Sequence, residues 1–345
     1  DNDSSIDTGT EVGVDDVEVA LYAADDLTTV LDTTTTADGG YYLFDYLTAG
    51  DYVVVVTADN FADGAVLEGY WSSATLMQAD GTTTETTAPD PDTDEDDLDD
   101  NGTLDDTGGD LDGAVVAQAV TLGPTGNSEP TDDDDFRDGS NEDSDQPDGR
   151  SNLAVDFGFY KTEIGNLVFD DTVKKDGVYN SADDAGLDDV TVTLHTLGPD
   201  GQPNTGDDVK LSIGPDGILG TDDDAGADLV TSGGGTYLFS GLPAGEYVVK
   251  VTAPDGTVST IDSFDQTDND NPDTNTDDND NGVGQSDGTV SANTLTMQPG
   301  RVAANVILDN ATGTTRDLTV DFGDIKKYAL GNRVWVDTNN NSVLA

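Results

Sequence analysis

The chemistry offered by this sequence is carboxylate chemistry, and its most regular carboxylates lie in a tandem repeat. GPDGQPNTGDD (198–208) returns sixteen residues later as GPDGILGTDDD (214–224). In each copy one Asp precedes a Gly, and an Asp pair follows seven residues on: Asp200 with Asp207 and Asp208, and Asp216 with Asp223 and Asp224. Glycine lets a backbone fold tightly enough for carboxylates and carbonyls to converge on Ca²⁺. The repeated spacing favours calcium loops over a flexible acidic hairpin.

Two longer acidic segments, 90–101 and 270–281, form a second candidate metal region. Aspartates at this density normally repel one another and stay disordered. Their recurrence at the same place in two halves of the chain predicts ordered, ion-bound loops instead. The candidate ligands are Asp92, Asp94, Asp97, Asp99 and Asn101 in the first segment and Asp273, Asn275, Asp277, Asp280 and Asn281 in the second.

A third pattern has oxygen-bearing residues at alternate positions, the spacing at which a loop grips Ca²⁺. Asp337, Asn339 and Asn341 fit this spacing, although Ser342 stands where a glycine is expected. The nearest equivalents earlier in the chain are Asp171, Asp176, Asn180 and Asp183, where Lys174 and Lys175 intrude. A calcium site and a plain polar turn both remain open for that loop. Several Ca²⁺ ions per chain are the expected cofactors.

Other reactive groups are scarce. The single histidine, His195, ends a predicted strand, and the equivalent position earlier in the chain holds Tyr22. A position that accepts either residue is typical of a strand surface, not of a general base. The sequence has no cysteine, Ser–His–Asp arrangement, glycine-rich phosphate loop or HExxH motif. We therefore predict a protein that is not an enzyme.

The charge narrows the set of partners. The chain carries 73 acidic and 12 basic residues, a net charge of −61, and only nine of the acids are Glu. Asp is the acid favoured in turns and as a short calcium ligand. No basic stripe is available to meet phosphates, which argues against nucleic acid. No apolar run is long enough for membrane insertion in this segment.

Internal repeats organise the chain into two units. GVDDVEVALY (13–22) returns as GLDDVTVTLH (186–195), and GGYYLFDYLTAGDYVVVV (39–56) as GGTYLFSGLPAGEYVVKV (234–251). LAVDFGFY (153–160) returns as LTVDFGDI (318–325), and IGNLVFDD (164–171) as LGNRVWVD (330–337). The predicted domains are residues 1–160, a first repeat lacking its opening strand; 161–326, a second repeat with an acidic insertion at 198–232; and 327–345, the opening strand of a following repeat.

The order of these blocks is circular. Reading the last residues into the first reproduces the layout that joins the two units inside the chain. Two explanations remain open: a stretch of a longer tandem array, or a subunit that donates its last strand to the next subunit. The expected partners are accordingly neighbouring repeats or identical subunits, end to end.

The local patterns are β throughout and predict an all-β fold of tandem immunoglobulin-like or prealbumin-like β-sandwiches with long Asp-rich calcium loops. Val17, Val19 and Leu21 alternate with other residues, as do their counterparts at 190–194. Tyr42, Phe44 and Leu47 predict a strand before a turn in which Gly50, like Gly245, is suited to a positive φ.

The ordered blocks resemble the B-type repeats of serine–aspartate-repeat surface proteins, which are related to collagen-adhesin B-type and prealbumin-like sandwiches. The block order is GN-LV-[FW], G[VL]DDV, GG-x-Y-LF, an acidic run, then VDFG. The resemblance implies calcium-stiffened modules arranged as stalks, located extracellularly on a cell surface. Some relatives carry an internal Lys–Asn bond; residues 1–160 contain no lysine, so we expect none in the first unit.

The predicted function is an extracellular structural repeat protein, a calcium-stabilised stalk or fibre segment. Two alternatives stay open: a filament subunit assembled by strand donation, and an adhesin that binds a matrix or host ligand. Tyr70 and Trp71, in a segment found only in the first unit, either pack against the sandwich or present a contact surface.

Overall fold

The computed structural model describes residues 12–93, 99–123, 151–260, 272–274, 278–285, 289–300, 306–309, 312–326 and 330. These residues form β-strands with two short 3₁₀ turns, Ala58–Phe61 and Pro272–Thr274, and none of the helices found in them could span a membrane. The strands of the first half are β1 (Glu18–Ala23), β2 (Asp26–Thr35), β3 (Gly50–Val56), β4 (Trp71–Ser72), β5 (Leu76–Met77), β6 (Thr83–Thr84), β7 (Gly102–Leu104), β8 (Val115–Ala117) and β9 (Val120–Leu122).

The second half begins with a long strand. Its strands are β10 (Phe159–Asp170), β11 (Ala185–Gly186), β12 (Val192–Thr196), β13 (Val209–Lys210), β14 (Thr236–Leu242), β15 (Gly245–Thr252), β16 (Thr257–Ser259), β17 (Val283–Gly284), β18 (Thr289–Ser291), β19 (Leu295–Met297), β20 (Val306–Asp309), β21 (Thr314–Asp317) and β22 (Phe322–Lys326). The predicted all-β class is confirmed.

The second unit is a two-layered sandwich. One sheet has the order β13-β12-β15-β18-β17, with β19 on β15, and the other the order β16-β22-β10-β21-β20, with β14 on β10. Val192 and Leu194 alternate with partly exposed residues along β12, as predicted, and pack in one core with Phe239 and Phe322 of the facing sheet. Because each sheet buries the apolar face of the other, the two layers are held together.

Among the described residues, the main sheet of the first unit has the order β2-β1-β3-β8-β7, with β9 on β3, and β5 and β6 form a separate two-stranded sheet. Val19 and Leu21 of β1 face the main core of this unit. Ala20 and Tyr22 on the opposite face are also buried, in a second cluster that includes Leu111. The alternation predicted one apolar face for β1, whereas the strand buries both faces because residues 105–114 cover the second.

Two local predictions are wrong. Tyr42, Phe44 and Leu47 are partly buried but belong to no strand, although the equivalent residues of the second unit form β14. The left-handed residue of the following turn is not Gly50 or Gly245: it is Tyr46, with φ of 59°, and its counterpart Gly241, with φ of 65°. The turn therefore starts earlier than the Ala-Gly pair indicated.

Strand β10 is shared by both units. Its first residues, Phe159 and Tyr160, pair with β4 of the first unit. Further along, the same strand pairs with β14, with β21 and then with β22 and β11 of the second unit. The predicted boundary between residues 160 and 161 thus falls inside a continuous strand.

Candidate metal-binding loops and the joint between units

The loop after β10 is fixed by buried carboxylates. Asp171 is fully buried, and its two oxygens accept backbone hydrogen bonds from Lys175 (2.8 Å) and Gly177 (2.9 Å). This is the arrangement of a tight turn closed by its own side chain. Asp183 instead forms an ion pair with Lys174, whose ammonium lies 2.5 Å from the Asp183 carboxylate. The intruding lysine thus supplies a positive charge inside the loop.

Asp184, which sequence reasoning passed over, has the environment closest to a cation site. Its side chain is 7% exposed; Oδ2 accepts a hydrogen bond from the Asn180 amide at 2.9 Å, while Oδ1 is buried without a hydrogen-bond partner. Burial, followed by repulsion from Asp171, Asp176 and Asp183, raises the pKa of Asp184. A cation placed at Oδ1 would relieve both the desolvation and the repulsion.

The two tandem copies differ in how they neutralise their last aspartate. In the first copy Asp208 accepts the Asn204 amide at 2.9 Å, and the Lys250 ammonium lies 2.7 Å from the same carboxylate oxygen. In the second copy Asp224 accepts the Gly220 amide at 2.8 Å, and its other oxygen is buried without a hydrogen-bond partner. Burial raises the pKa of Asp224. In the first copy Lys250 supplies a positive charge beside the last aspartate. In the second copy a metal ion could supply that charge.

The remaining predicted ligands of the tandem copies make local turns. Asp200 and Asp216 accept the backbone amides two residues on, at 2.8 and 2.9 Å. Asp207 accepts the amide of Asp200 at 3.1 Å, and Asp223 accepts the Thr221 hydroxyl at 3.2 Å. These bonds are local and fix the turns within each loop.

The acidic segments are tied to their sandwiches by equivalent bonds in both units. Asp92 accepts the Thr121 amide (2.8 Å), and Asp273 accepts the Thr296 amide (2.9 Å). The side-chain oxygens of Asn101 and Asn281 accept the amides of the VDFG aspartates, Asp156 and Asp321, both at 2.9 Å. The recurrence that suggested metal ligands is thus also explained by hydrogen bonds that hold the segment in place.

The register of this segment needs one correction. In the two sets of candidate ligands Asp99 and Asp280 hold the same place, but Asp100 is the structural equivalent of Asp280, because Asp100 bridges to Asp156 as Asp280 bridges to Asp321. Asp100 is 6% exposed and accepts the Gly102 amide at 2.9 Å and the Gly158 amide at 3.1 Å. Burial raises the pKa of Asp100 to about 7.

In the loops where calcium is predicted, a buried carboxylate oxygen without a hydrogen-bond partner occurs at Asp224, which is a predicted ligand, and at Asp184, which is not. Within the described part of the chain no three acidic or histidine side chains form a group that could hold a metal ion. Several predicted ligands lie outside the described residues: Asp94, Asp97, Asn275, Asp277, Asp337, Asn339 and Asn341.

His195 is a partly buried strand residue. Its Nε2 lies 3.1 Å from the Thr193 hydroxyl, and its Nδ1 is buried without a hydrogen-bond partner. Burial, and then the positive charge of Lys250, lowers its pKa to about 4. The imidazole is therefore neutral at pH 7, and its surroundings are those of a packed side chain.

Tyr70 and Trp71 of the first unit form hydrogen bonds with the second unit. The Trp71 indole donates to the Gly241 carbonyl at 2.8 Å, and the Tyr70 hydroxyl to the Thr312 carbonyl at 2.6 Å. The Lys161 ammonium lies 4.6 Å from the centre of the Tyr70 ring. Both predicted alternatives hold in part: Tyr70 packs against the core of its own unit, and both Tyr70 and Trp71 bond to the second unit.

Residues 77–81 extend the same contact. The Met77 amide donates to the Ala244 carbonyl at 2.8 Å, and the Met77 side chain belongs to the core of the second sandwich. The Ala79 carbonyl accepts from the Thr196 hydroxyl (2.8 Å) and the Gly198 amide (2.9 Å). Backbone pairing, side-chain hydrogen bonds and a shared core thus all cross the joint.

The comparisons with known proteins agree with the predicted resemblance. Residues 1–97 match the SdrD B-like domain family. Serine-aspartate repeat-containing protein D of Staphylococcus aureus, in strains Newman and MW2, is 28% identical over 194 residues, which is 55% of this chain. The match spans a tenth of the length of those relatives.

Two solved structures align over most of the chain at low similarity. GBS52, the minor pilin of Streptococcus agalactiae, is 11% identical with a TM-score of 0.26, covering 93% of this chain and 88% of its own. BcpA, the major pilin subunit of Bacillus cereus, is 12% identical with a TM-score of 0.20, covering 90% and 95%. Likeness at this level carries no argument about this chain.

Replacing His195 with tyrosine, the residue of the equivalent position, should flatten part of the pH dependence of stability. The folded pKa of about 4 lies below the ordinary value, so the unfolded chain binds a proton below about pH 6.5 and the folded chain does not. The stability contributed by the neutral ring is complete above about pH 6.5 and is lost as the pH falls toward 4, by about 2 kcal/mol after allowance for partial exposure. Urea unfolding of both proteins between pH 4 and 7 measures this difference; identical profiles would contradict it.

Proposed function

We propose that this chain is a structural segment of an extracellular stalk or fibre, in which successive β-sandwiches are joined without a hinge and stiffened by Ca²⁺. The main support for this proposal is the shared strand β10, which pairs with β4 of the first unit and with four strands of the second. Domains that move independently are usually connected by exposed linkers across which few contacts pass. In this chain the units are instead connected by a paired strand with many contacts across it, which supports a load-bearing joint.

Tyr160 lies at the centre of this joint. Its side chain is 4% exposed, and its hydroxyl donates to the Thr75 carbonyl while accepting the Ala244 amide at 2.9 Å. One hydroxyl therefore links the shared strand to a backbone group of each unit. Breaking the joint would leave these buried groups unsatisfied, at a cost of about 1–3 kcal/mol for each group.

Similarity and composition support the extracellular, structural part of the proposal. The first 97 residues match a domain family whose relatives are serine–aspartate repeat proteins. An adhesin would need residues such as Tyr70 and Trp71 to present a free contact surface, but both bond to the second unit. No described feature favours a ligand-binding role over the structural one.

The calcium part of the proposal rests on Asp184 and Asp224. The buried oxygen of Asp184 that has no hydrogen-bond partner, and that of Asp224, would each supply one ligand to an ion. Bound Ca²⁺ supplies double positive charge to a chain whose net charge is −61. The protein's own part is to orient these carboxylates through backbone bonds, as the Asn180 and Gly220 amides do.

Adding a methyl group at Gly241 should damage the joint. Gly241 has φ of 65°, and a Cβ there would lie 3.0 Å from both Gly69 Cα and the Leu219 carbonyl oxygen. Gly241→Ala should therefore cost the left-handed strain of about 1–2 kcal/mol and a further 1–3 kcal/mol of crowding. Gly256→Ala is the matched control, since Gly256 has φ of 86° but nothing within 4 Å of a Cβ. Urea unfolding compares the two, and small-angle scattering should show a wider spread of inter-unit distances for Gly241→Ala alone. Equal destabilisation and equal scattering would contradict a tight joint.

Chelation should lower the thermal stability of the chain. Removing Ca²⁺ with EDTA leaves buried carboxylates without a counter-charge, so calorimetry should show a fall in melting temperature. Asp184→Asn should reduce the response to Ca²⁺, whereas Asp38→Asn, at an exposed position, should leave it unchanged. A melting temperature that EDTA does not alter would refute the metal role and leave the joint intact.

A further inference from the structure

A cavity of about 470 Å³ lies at the joint, between the two units. The first unit lines it with Trp71, Met77, Asp106 and the turn at residues 81–83, and the second unit with Leu211, Leu219 and Asp224. Cavities of several hundred Å³ are typical of sites for small ligands or for single side chains of a partner. Because both units line the cavity, it exists only while the joint is closed, and a ligand there would be additional to the structural role.

The apolar walls of the cavity are held in place by both units. Met77 and Leu211 belong to the core of the second sandwich, and Leu219 packs against that core. The Trp71 indole donates to a carbonyl of the second unit at 2.8 Å, and the Trp71 backbone pairs with β10. The apolar surface of the cavity is therefore preformed, which favours a ligand with an apolar part and lowers the cost of ordering the site on binding.

Two carboxylates give the cavity a negative charge. Asp106 of the first unit and Asp224 of the second line it, and none of the described residues that line it is basic. The ion pairs found in the described part of the chain include neither carboxylate. The first 136 residues contain no lysine, arginine or histidine, so the first unit has no basic side chain there to compensate the charge. The charge of the cavity thus favours a cation as its ligand.

The first tandem copy shows which cation suits an aspartate at this position. Asp208 and Asp224 are the last residues of the two copies, and each accepts the backbone amide four residues before it. The Lys250 ammonium lies 2.7 Å from the Asp208 carboxylate, and both side chains are largely buried. Beside Asp224 there is a cavity instead of a lysine. A lysine side chain also matches the mixed lining, because its four-carbon stem is apolar and its ammonium is charged.

An organic ammonium fits this lining better than a metal ion does. Ca²⁺ takes oxygen ligands on most sides, whereas much of this lining is aromatic or aliphatic. An ammonium is attracted both by carboxylates and by the face of an indole such as that of Trp71. The ion proposed at Asp224 does not require the same atom. In the first copy the ammonium meets the Asp208 oxygen that accepts the amide, whereas the Asp224 oxygen proposed as a calcium ligand is the other one.

We propose that this cavity binds a lysine side chain of a partner polypeptide, with the ammonium paired to the Asp224 carboxylate and the apolar stem against Trp71. Asp106 adds to the attraction from the opposite unit. The joint of the stalk would then also be a docking point for a cationic segment of another protein. The inference goes beyond the proposed function and can fail separately, since a stiff joint need not bind a ligand.

Ligand-observed NMR titration of the full chain with N-acetyl-lysine methylamide tests this inference. The buffer contains EDTA and about 0.15 M salt, which screens unspecific attraction to the net charge of −61. The probe should bind saturably, and its Nζ-acetylated analogue, which keeps the stem and loses the charge, about tenfold more weakly. Pentylammonium, which has the charged stem without a peptide backbone, should also bind more weakly. Equal affinity of the two lysine analogues would overturn the ammonium site, and equal or tighter binding of pentylammonium would overturn a polypeptide as its source.

Charge-removing variants locate the site. Asp224→Asn should weaken binding of the lysine probe about tenfold, and Asp106→Asn, at an exposed residue of the other unit, should weaken it by a smaller factor. Asp222→Asn is the matched control, because it removes the same charge at an exposed position of the Asp224 loop that does not line the cavity. Asp184→Asn should leave probe binding unchanged while reducing the response to Ca²⁺, which separates this inference from the calcium proposal. A probe that does not bind, or that Asp222→Asn weakens as much as Asp224→Asn does, would overturn the inference.

Discussion

The architecture depends on one constraint: the backbone of β10 must satisfy its hydrogen bonds in two units at once. A strand paired on both sides has a fixed register, and a slip of one residue would turn its buried side chains outward. Ile164, Val168 and Phe169 are fully buried along this strand, so slippage is opposed by the core as well as by the ladder. The orientation of the second unit relative to the first is consequently set by the same interactions that fold the second unit.

The repeated sequence blocks correspond to repeated polar clamps. Asp15 accepts the amides of Gly39 and Gly40, both at 2.8 Å, and Asp188 accepts those of Gly234 and Gly235 at 2.8 and 2.7 Å. Thr36 and Thr231 each link two neighbouring segments through one hydroxyl. These bonds explain why the Asp of G[VL]DDV and the Gly-Gly pair recur together. They also give many aspartates a structural task that needs no metal.

The all-β class and the correspondence of the two units could be predicted from the sequence, because the first follows from the local alternation of apolar residues and the second from repeated sequence blocks. It was insufficient wherever a residue's state depends on a distant partner. Tyr42 and Phe44 have the pattern of a strand but belong to none, whereas their counterparts Tyr237 and Phe239 lie in β14, which pairs with β10. Asp99 and Asp100 are adjacent residues of the same type, so the sequence does not tell which of them is buried. The bridge to Asp156 identifies Asp100 as the buried one. Asp184 was missed for the same reason, since its burial arises from the fold of the whole loop.

The balance of charge connects these local observations to the shape of the molecule. Twelve basic residues cannot neutralise 73 acids, and pairs such as Lys250 with Asp208 account for only a few of them. Backbone amides stabilise individual carboxylates without changing the net charge, so repulsion between the two units persists even when every loop is ordered. Repulsion of this kind opposes side-by-side packing of units and is least when they are arranged in line. A strand that continues from one sandwich into the next resists that repulsion with paired backbone, because separating the units would require breaking a ladder and exposing the core beside it.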